Sequence, residues 1–331
     1  MEPNVRRAFQ ASIDNLTSEL KLSEVTKALR GEDVEAALRA LHIDAAAFTP
    51  YRTAITAAYN GGGDIAAKKI PKLPDSQGNL VVVRFDVSNR RAERQLADIA
   101  GNRITLVTQD TIQAARAIVL DGYSKGMGPA SIALDLAGRV DVRTGRRMGG
   151  VLGMSEPQAK AALNLRNRLL SGDPSEMRKV LGMELRDKRF DASIVAAIKA
   201  GKKLSIADVN RMYGRYVDAS ILLRSNNVAR TETGRAVHAA AHEAFRQGID
   251  KTNYSDVDIS RTWRATRDKR TRHSHEEMDG QTVYGLNSPF MTPSGQKLLH
   301  PLDPSLGAGP EEIINCRCDE EIDIDFSAGV V

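Results

Sequence analysis

The chain has 331 residues, 41% of them hydrophobic, enough for two or three domains with a sizeable core. No apolar run approaches the roughly 18 to 20 residues of a membrane span, and the start MEPNVRRAFQ lacks a secretory signal's apolar stretch and cleavage site, so a soluble protein kept inside the cell is expected. The net charge of +5 hides an asymmetry: from Pro301 onward eight acidic residues stand against Arg317 alone, leaving about +12 on the rest of the chain.

Such a basic body is compatible with nucleic acid or an acidic protein surface nearby, and equally with solvated helix faces. The aromatic content of 5% suits a helical protein more than a β-sandwich. Taken in chain order, the first fifty residues read as short helices, with Leu16, Leu20, Val25, Leu29, Val34, Leu38 and Leu41 at helical spacings and Gly31 as a break. The run YNGGGD, Tyr59 to Asp64, reads as a hinge or loop. After the turn signals of PKLPDSQGN, a β-rich stretch from Leu80 to Val87 predicts a strand or hairpin.

From about Asn89 to Gly248 helical periodicity dominates. Ser155 is the expected N-cap of a helix ending at Gly172. The longest periodic stretch starts after Ser205 and stops at Gly248, either as one helix or as two joined near Ser225 to Asn227. From Lys251 the periodicity fades and Gly, Pro, Asp and Ser become more frequent, which predicts a loop-rich C-terminal module. The expected organisation is an N-terminal helical region with a short β-hairpin (1–88), a helical body (89–250) and the C-terminal module with its acidic tail (251–331). The fold class is therefore α+β, a predominantly helical body with a small loop-rich α+β module.

Both cysteines, Cys316 and Cys318, stand two positions apart in this module, and three of the six histidines, His273, His275 and His300, lie within the same region. Two thiols in so long a chain fit a reducing compartment rather than a disulfide scaffold. A disulfide across one residue would be strained, whereas His and Cys together suit the borderline-soft Zn²⁺ ion. The bland alternative is a pair of small buried thiols beside locally bonded histidines. His275 is the expected imidazole, and Asp279 a candidate carboxylate partner. A second candidate, HAAAHE, places His238 and His242 on one helical face, but the residue after His238 is Ala239, so the catalytic glutamate of the zinc peptidase pattern is missing and the histidines read as surface or interface residues. In VARTETGRA, Arg230 or Glu232 is a candidate for a salt bridge that orients the module, and RDKRTRH is a candidate phosphate-contacting patch. GxxxxGK[ST], GxGxxG and GxSxG do not occur, so nucleotide hydrolysis, dinucleotide chemistry and α/β-hydrolase catalysis have no support.

In order along the chain, ARTE on a long helix, a Trp followed by DKRTRHSH, MDG, HPLDP and INCRC resemble the phage Mu F-like minor head protein family, also called phage head morphogenesis proteins. The resemblance covers mainly Arg230 to Cys318. It carries over to Arg230, Thr231 and Glu232 on the helix; to Trp263, Asp268, Arg270 and His275 at the start of the module; to Asp279 and Gly280 at its turn; and to Asn315, Cys316, Arg317 and Cys318 at its end. It implies a structural protein of a tailed phage or prophage, made in the bacterial cytoplasm and carried in the virion head. The implied role is in head assembly and DNA packaging, the implied partners are the portal and the major capsid or scaffold proteins, and phage DNA is a further candidate contact. It implies no catalytic residue. The competing expectation is a zinc-dependent nuclease or DNA-binding protein delivered with the genome.

Overall fold

The computed structural model describes residues 1–141 and 145–325. Its helices are α1 (Glu2–Ser18), α2 (Leu22–Arg30), α3 (Val34–Arg39), α4 (Thr49–Lys69), α5 (Arg90–Ser124), α6 (Pro129–Ala137), α7 (Glu156–Ser171), α8 (Pro174–Leu181), α9 (Asp191–Ala200), α10 (Ile206–Ile249), α11 (His273–Glu277) and α12 (Pro310–Ile313). Short antiparallel pairs join β1 (Leu73–Pro74) to β2 (Leu80–Val81), and β3 (Arg139–Val140) to β4 (Arg147–Met148). In the C-terminal region β5 (Ile259–Arg264), β6 (Thr282–Tyr284) and β9 (Asp319–Ile324) form a sheet in the order β6-β5-β9, while β7 (Phe290–Met291) pairs with β8 (Lys297–Leu298). The chain is thus α+β, mostly helical, with its sheet in the C-terminal module, as its composition and periodicity lead one to expect.

The chain divides into two compact units, each assembled from separated segments: one from Met1–Arg6, Arg52–Asn102 and Asn227–Val331, the other from Arg7–Tyr51 and Arg103–Asn226. In the second unit Val25, Leu29, Leu38, Ile118, Leu136, Leu163, Leu169, Met177 and Tyr213 are among the residues of one continuous core. Inside it Asp135 is paired with Arg166 and lies 3.2 Å from Arg139, while the Arg166 guanidinium sits 5.2 Å over the Tyr213 ring. The buried carboxylate is therefore neutralised from both sides, as an ion pair in a helical core requires.

α10 is one helix through the SNN stretch. The Ser225 hydroxyl donates back to the Ile221 carbonyl at 2.8 Å, so it serves the helix interior instead of capping a new one. The Ser155 cap is present, its backbone N–H donating to Gln158 at 3.0 Å, and the helix it starts is followed by left-handed Gly172.

The first unit departs from the sequence reading in two places. Gly61, Gly62 and Gly63 lie within α4 and make no hinge. A Cβ on Gly62 would stand 2.8 Å from the Cα of Val237 on α10, so the glycine run marks a close approach of two helices. The expected strand from Leu80 to Val87 shrinks to Leu80–Val81. Beyond it Val83 enters the core with Ile70, Leu73, Phe245, Tyr254 and Ile259, and Asp86 exchanges both of its backbone hydrogen bonds with the Gln247 side chain, at 2.7 and 3.0 Å. A side chain of α10 thus takes the place that a ladder partner would fill.

Gly62→Ala tests the close approach. Helix propensity alone would stabilise by about 1 kcal/mol. The contact with the Val237 backbone, which no rotamer relieves, is expected to reverse the sign and destabilise by about 1–2 kcal/mol. Urea denaturation decides: a raised midpoint would contradict the packing described.

Candidate metal centre

Alternation along β5 turns Ile259, Arg261 and Trp263 to the buried side. Its partner β9 runs antiparallel, with Trp263 opposite Glu320 and Arg264 opposite Asp319, which brings Cys318, the residue before β9, to the end of β5. α11 places His275 against Trp263, with ring centroids 5.2 Å apart and the rings nearly perpendicular, and Trp263 makes a similar edge contact with Phe290 at 5.3 Å.

Here His275, Cys316 and Cys318 converge. Nδ1 of His275 is 3.4 Å from Cys316 Sγ and 3.5 Å from Cys318 Sγ, and one donor atom from each residue lies within 4.8 Å of the others. All three are buried, at 1%, 3% and 5% exposure. The cysteines are free thiols. The Cys316 thiol beside it, then His275, bring the Cys318 thiol down to about 5, while Cys318 and burial push Cys316 up. The backbone N–H of Cys318 lies 3.4 Å from Cys316 Sγ, a weak hydrogen bond to sulfur.

The other face of the imidazole is also occupied. Nε2 of His275 stands 3.0 Å from Oε2 of Glu312 on α12, in a direction poor for a hydrogen bond, and the same carboxylate oxygen accepts from Ser274 at 2.8 Å. A carboxylate behind the histidine, with the free ring nitrogen turned to the thiols, is the second layer that metal-binding histidines usually have. Asp279, expected as a carboxylate partner, does other work: it accepts from the backbone of Ala265 at 2.9 Å and from Arg267 at 2.6 Å, which holds its pKa down.

The segment carrying the thiols is clamped on both sides of each. Asn315, at φ 60°, donates its backbone N–H to the Thr231 hydroxyl at 3.0 Å and its side-chain amide to Asn227 at 2.9 Å, both on α10. Arg317 makes a two-pronged pair with Asp268 at 2.6 and 2.5 Å, and Arg270 donates its backbone N–H to the same carboxylate. Gly280, at φ 84°, donates to the Trp263 carbonyl and closes the turn after α11. The tether to the ARTE helix therefore runs through Thr231. Arg230 instead lies 3.5 Å from Glu2, and Glu232 is buried on α10, 3.8 Å from Arg235. His273 is exposed and pairs with Glu277 at 3.0 Å, away from the thiols.

Two features escaped sequence reasoning. Arg261 is fully buried: its guanidinium donates to the carbonyls of Gly285 (at 2.9 Å), Leu299 and Ser288, lies 3.4 Å from Glu320, and sits 5.1 Å over Phe290. A lone arginine on a strand gives no sequence signal for this. His238 and His242, expected at the surface or at an interface, are buried where α10 meets the module: His242 Nε2 bonds Glu320 at 2.7 Å, and both rings pack against His300, at centroid distances of 5.9 and 5.0 Å. Their i and i+4 spacing on an alanine-rich face was the available signal, since small neighbours permit close packing.

Residues 188–320 match the sequence family described as Phage Mu protein F like protein, a span that includes His275, Cys316, Cys318 and the clamps around them. The chain is also similar to the NAD(+)--arginine ADP-ribosyltransferase EFV of Enterococcus faecalis (strain ATCC 700802 / V583), 30% identical over 126 residues. That stretch is 38% of this chain and 23% of the relative, so the chain spans about a quarter of that protein's length. No solved structure matches.

The buried histidines predict a pH response. Burial lowers His242 well below the usual histidine range, with Arg261 and His238 adding to it, and burial followed by His242 lowers His300. Groups with folded values below the unfolded value of about 6.5 are neutral when folded and protonated when unfolded. Their contribution is complete above that pH and is lost as the pH falls below it, by about 1.4 kcal/mol per pH unit for each proton. Glu320, raised by burial, acts with the opposite sign for one proton. The net expectation is a urea midpoint that drops between pH 7 and pH 5, with a shallower drop in His300→Gln; a flat profile would contradict the neutral, buried assignment.

Proposed function

We propose that this chain is a minor head protein of a tailed phage or prophage, acting in head morphogenesis, with a C-terminal module organised around a Zn²⁺ ion held by His275, Cys316 and Cys318. The observation that carries the head-protein reading is the family match over residues 188–320. Docking to the portal during procapsid assembly and DNA packaging, with major capsid or scaffold proteins as further neighbours, is the role proposed for the full chain. The virion head is its proposed location. No helix of the described residues is long and apolar enough to cross a membrane.

The donor set supports zinc. Two buried thiols and an imidazole backed by a carboxylate match the ligand types that Zn²⁺ takes. When bound, the ion would supply a cross-link between α11 and the segment before β9. The chain's own residues do the rest: Thr231, Asn227 and Asp268 position the thiol segment, and Trp263 and Glu312 fix the imbalance of the ring, thiols on one side and carboxylate on the other.

The same residues also resemble a cysteine nucleophile, a histidine base and an orienting glutamate. Burial separates the two readings. With Cys318 at 5% and His275 at 1% exposure both groups are shielded from solvent, so turnover at this point, a zinc nuclease included, is not proposed. The transferase activity in the name of the Enterococcus faecalis protein belongs to that protein; with 23% of its length covered, it is not carried over.

Two measurements test these readings separately. Elemental mass spectrometry of the purified protein should find zinc near one per chain, lost in the double variant Cys316→Ser/Cys318→Ser, whose C-terminal module should unfold at lower temperature while the far-ultraviolet helical signal persists. A metal-free wild-type protein with an unchanged melt in the variant would overturn the metal reading. Proteomic analysis of purified heads from the encoding phage or prophage should find the chain in the head fraction, and its deletion should reduce filled heads. A normal yield of filled heads without it would overturn the assembly reading, whatever the metal result.

A further inference from the structure

A polar cleft of about 510 Å³ opens in the unit formed by Arg52–Asn102 and Asn227–Val331, between the start of α5, the second half of α10 and the loops near Leu286 and His300. This size lies within the range of small-ligand pockets. It is separate from the thiol site, since neither His275 nor either cysteine lines it.

The carboxylates on its wall are mostly committed. Glu243 is held by Arg91 at 3.2 Å and by Gln247 at 3.1 Å, and Arg91 is further engaged by Asp250 at 2.5 Å. Asp303 accepts from the backbone of Leu299 and Ser305, both at 3.0 Å, and from the Ser305 hydroxyl at 2.7 Å. The remaining cations have weaker partners. Arg94 donates Nε to the Arg90 carbonyl at 3.2 Å, Arg246 donates to the Asn287 amide oxygen at 2.8 Å, and Arg235 reaches Glu232 only at 3.8 Å. Besides Glu243 and Asp303 the lining holds one further carboxylate, Asp98. The lining thus sets four arginines against three carboxylates, a net charge of +1, and the N–H donors of Arg94, Arg235 and Arg246 that these contacts leave over suit an anionic group such as a phosphate monoester.

His300 adds a second, independent feature. It is 5% exposed, and its Nδ1 lies 2.8 Å from the Pro301 carbonyl, so Nδ1 carries the proton and Nε2 is left as an acceptor on the cleft wall. A buried acceptor beside unspent guanidinium donors suits a ligand with both an anionic group and a hydroxyl.

We infer that this cleft binds a phosphate monoester of about mononucleotide size, with Arg94, Arg235 and Arg246 on the phosphate and His300 accepting from a hydroxyl of the ligand. The shared chemistry is the phosphate group, whether free or esterified. Isothermal titration of the full-length protein with inorganic phosphate, adenosine monophosphate and adenosine distinguishes the sources. Saturable heat with adenosine monophosphate, competed by phosphate and absent with adenosine, is the expected result. Arg94→Gln/Arg246→Gln should weaken it about tenfold or more with an unchanged thermal melt, as expected when charge-assisted bonds are lost at a solvent-accessible site. Equal affinity for phosphate and adenosine monophosphate would keep the phosphate subsite and remove the role of His300. No saturable heat from either phosphate compound, or unchanged affinity in the double variant, would overturn the inference.

Discussion

The C-terminal module hangs on one buried charge. Arg261 points inward from β5 and spends its guanidinium on carbonyls of two separate loops, at Gly285 and Ser288 and at Leu299, with Glu320 of β9 as its counter-ion. In a module with little regular structure such a hub replaces many ladder bonds, because loop carbonyls without partners would be costly to bury. It also fixes the face of β5. With Arg261 turned inward, strand alternation turns Trp263 inward as well, and that indole forms the wall against which His275 is set.

From that wall the site follows by register. β5 and β9 pair Trp263 with Glu320, so the segment just before β9 reaches the imidazole, and its Cys318 and Cys316 arrive on the same side. The residues between and beside them face away and are clamped: Asn315 to α10, Arg317 to Asp268. Alternate residues thus serve the site and its anchorage in turn. Ligands held in this way lose little freedom when an ion binds, which is the physical advantage of supporting a metal site with rigid neighbours.

The grouping of His275 with two thiols was legible in the sequence through residue type and through the family resemblance, which matched His275, whereas proximity along the chain alone would favour His300. The carboxylate behind His275 was not. Glu312 and Asp279 are both acidic residues near turns, and only the packing of α12 decides that Glu312 backs the imidazole while Asp279 closes the turn with Arg267. Arg261 was hidden for a similar reason, since an arginine in a charged stretch has the same sequence appearance whether it is solvated or buried. The glycine run at residues 61 to 63 was misread because a close helix approach and a hinge both call for glycine. The buried histidines on α10 show the same limit: their spacing reveals a common face, while the partners that bury them, Glu320 and His300, come from distant parts of the chain. Helical periodicity, by contrast, is local, and the long helix, the Ser155 cap and the α+β class were readable from it.

Zinc K-edge X-ray absorption on the protein as purified tests the central claim most directly. The account predicts a first shell containing two sulfur atoms at about 2.3 Å and at least one nitrogen at about 2.0–2.1 Å, with the sulfur contribution lost when both cysteines are replaced. A first shell of light atoms alone, or a sample with no zinc edge, would contradict it.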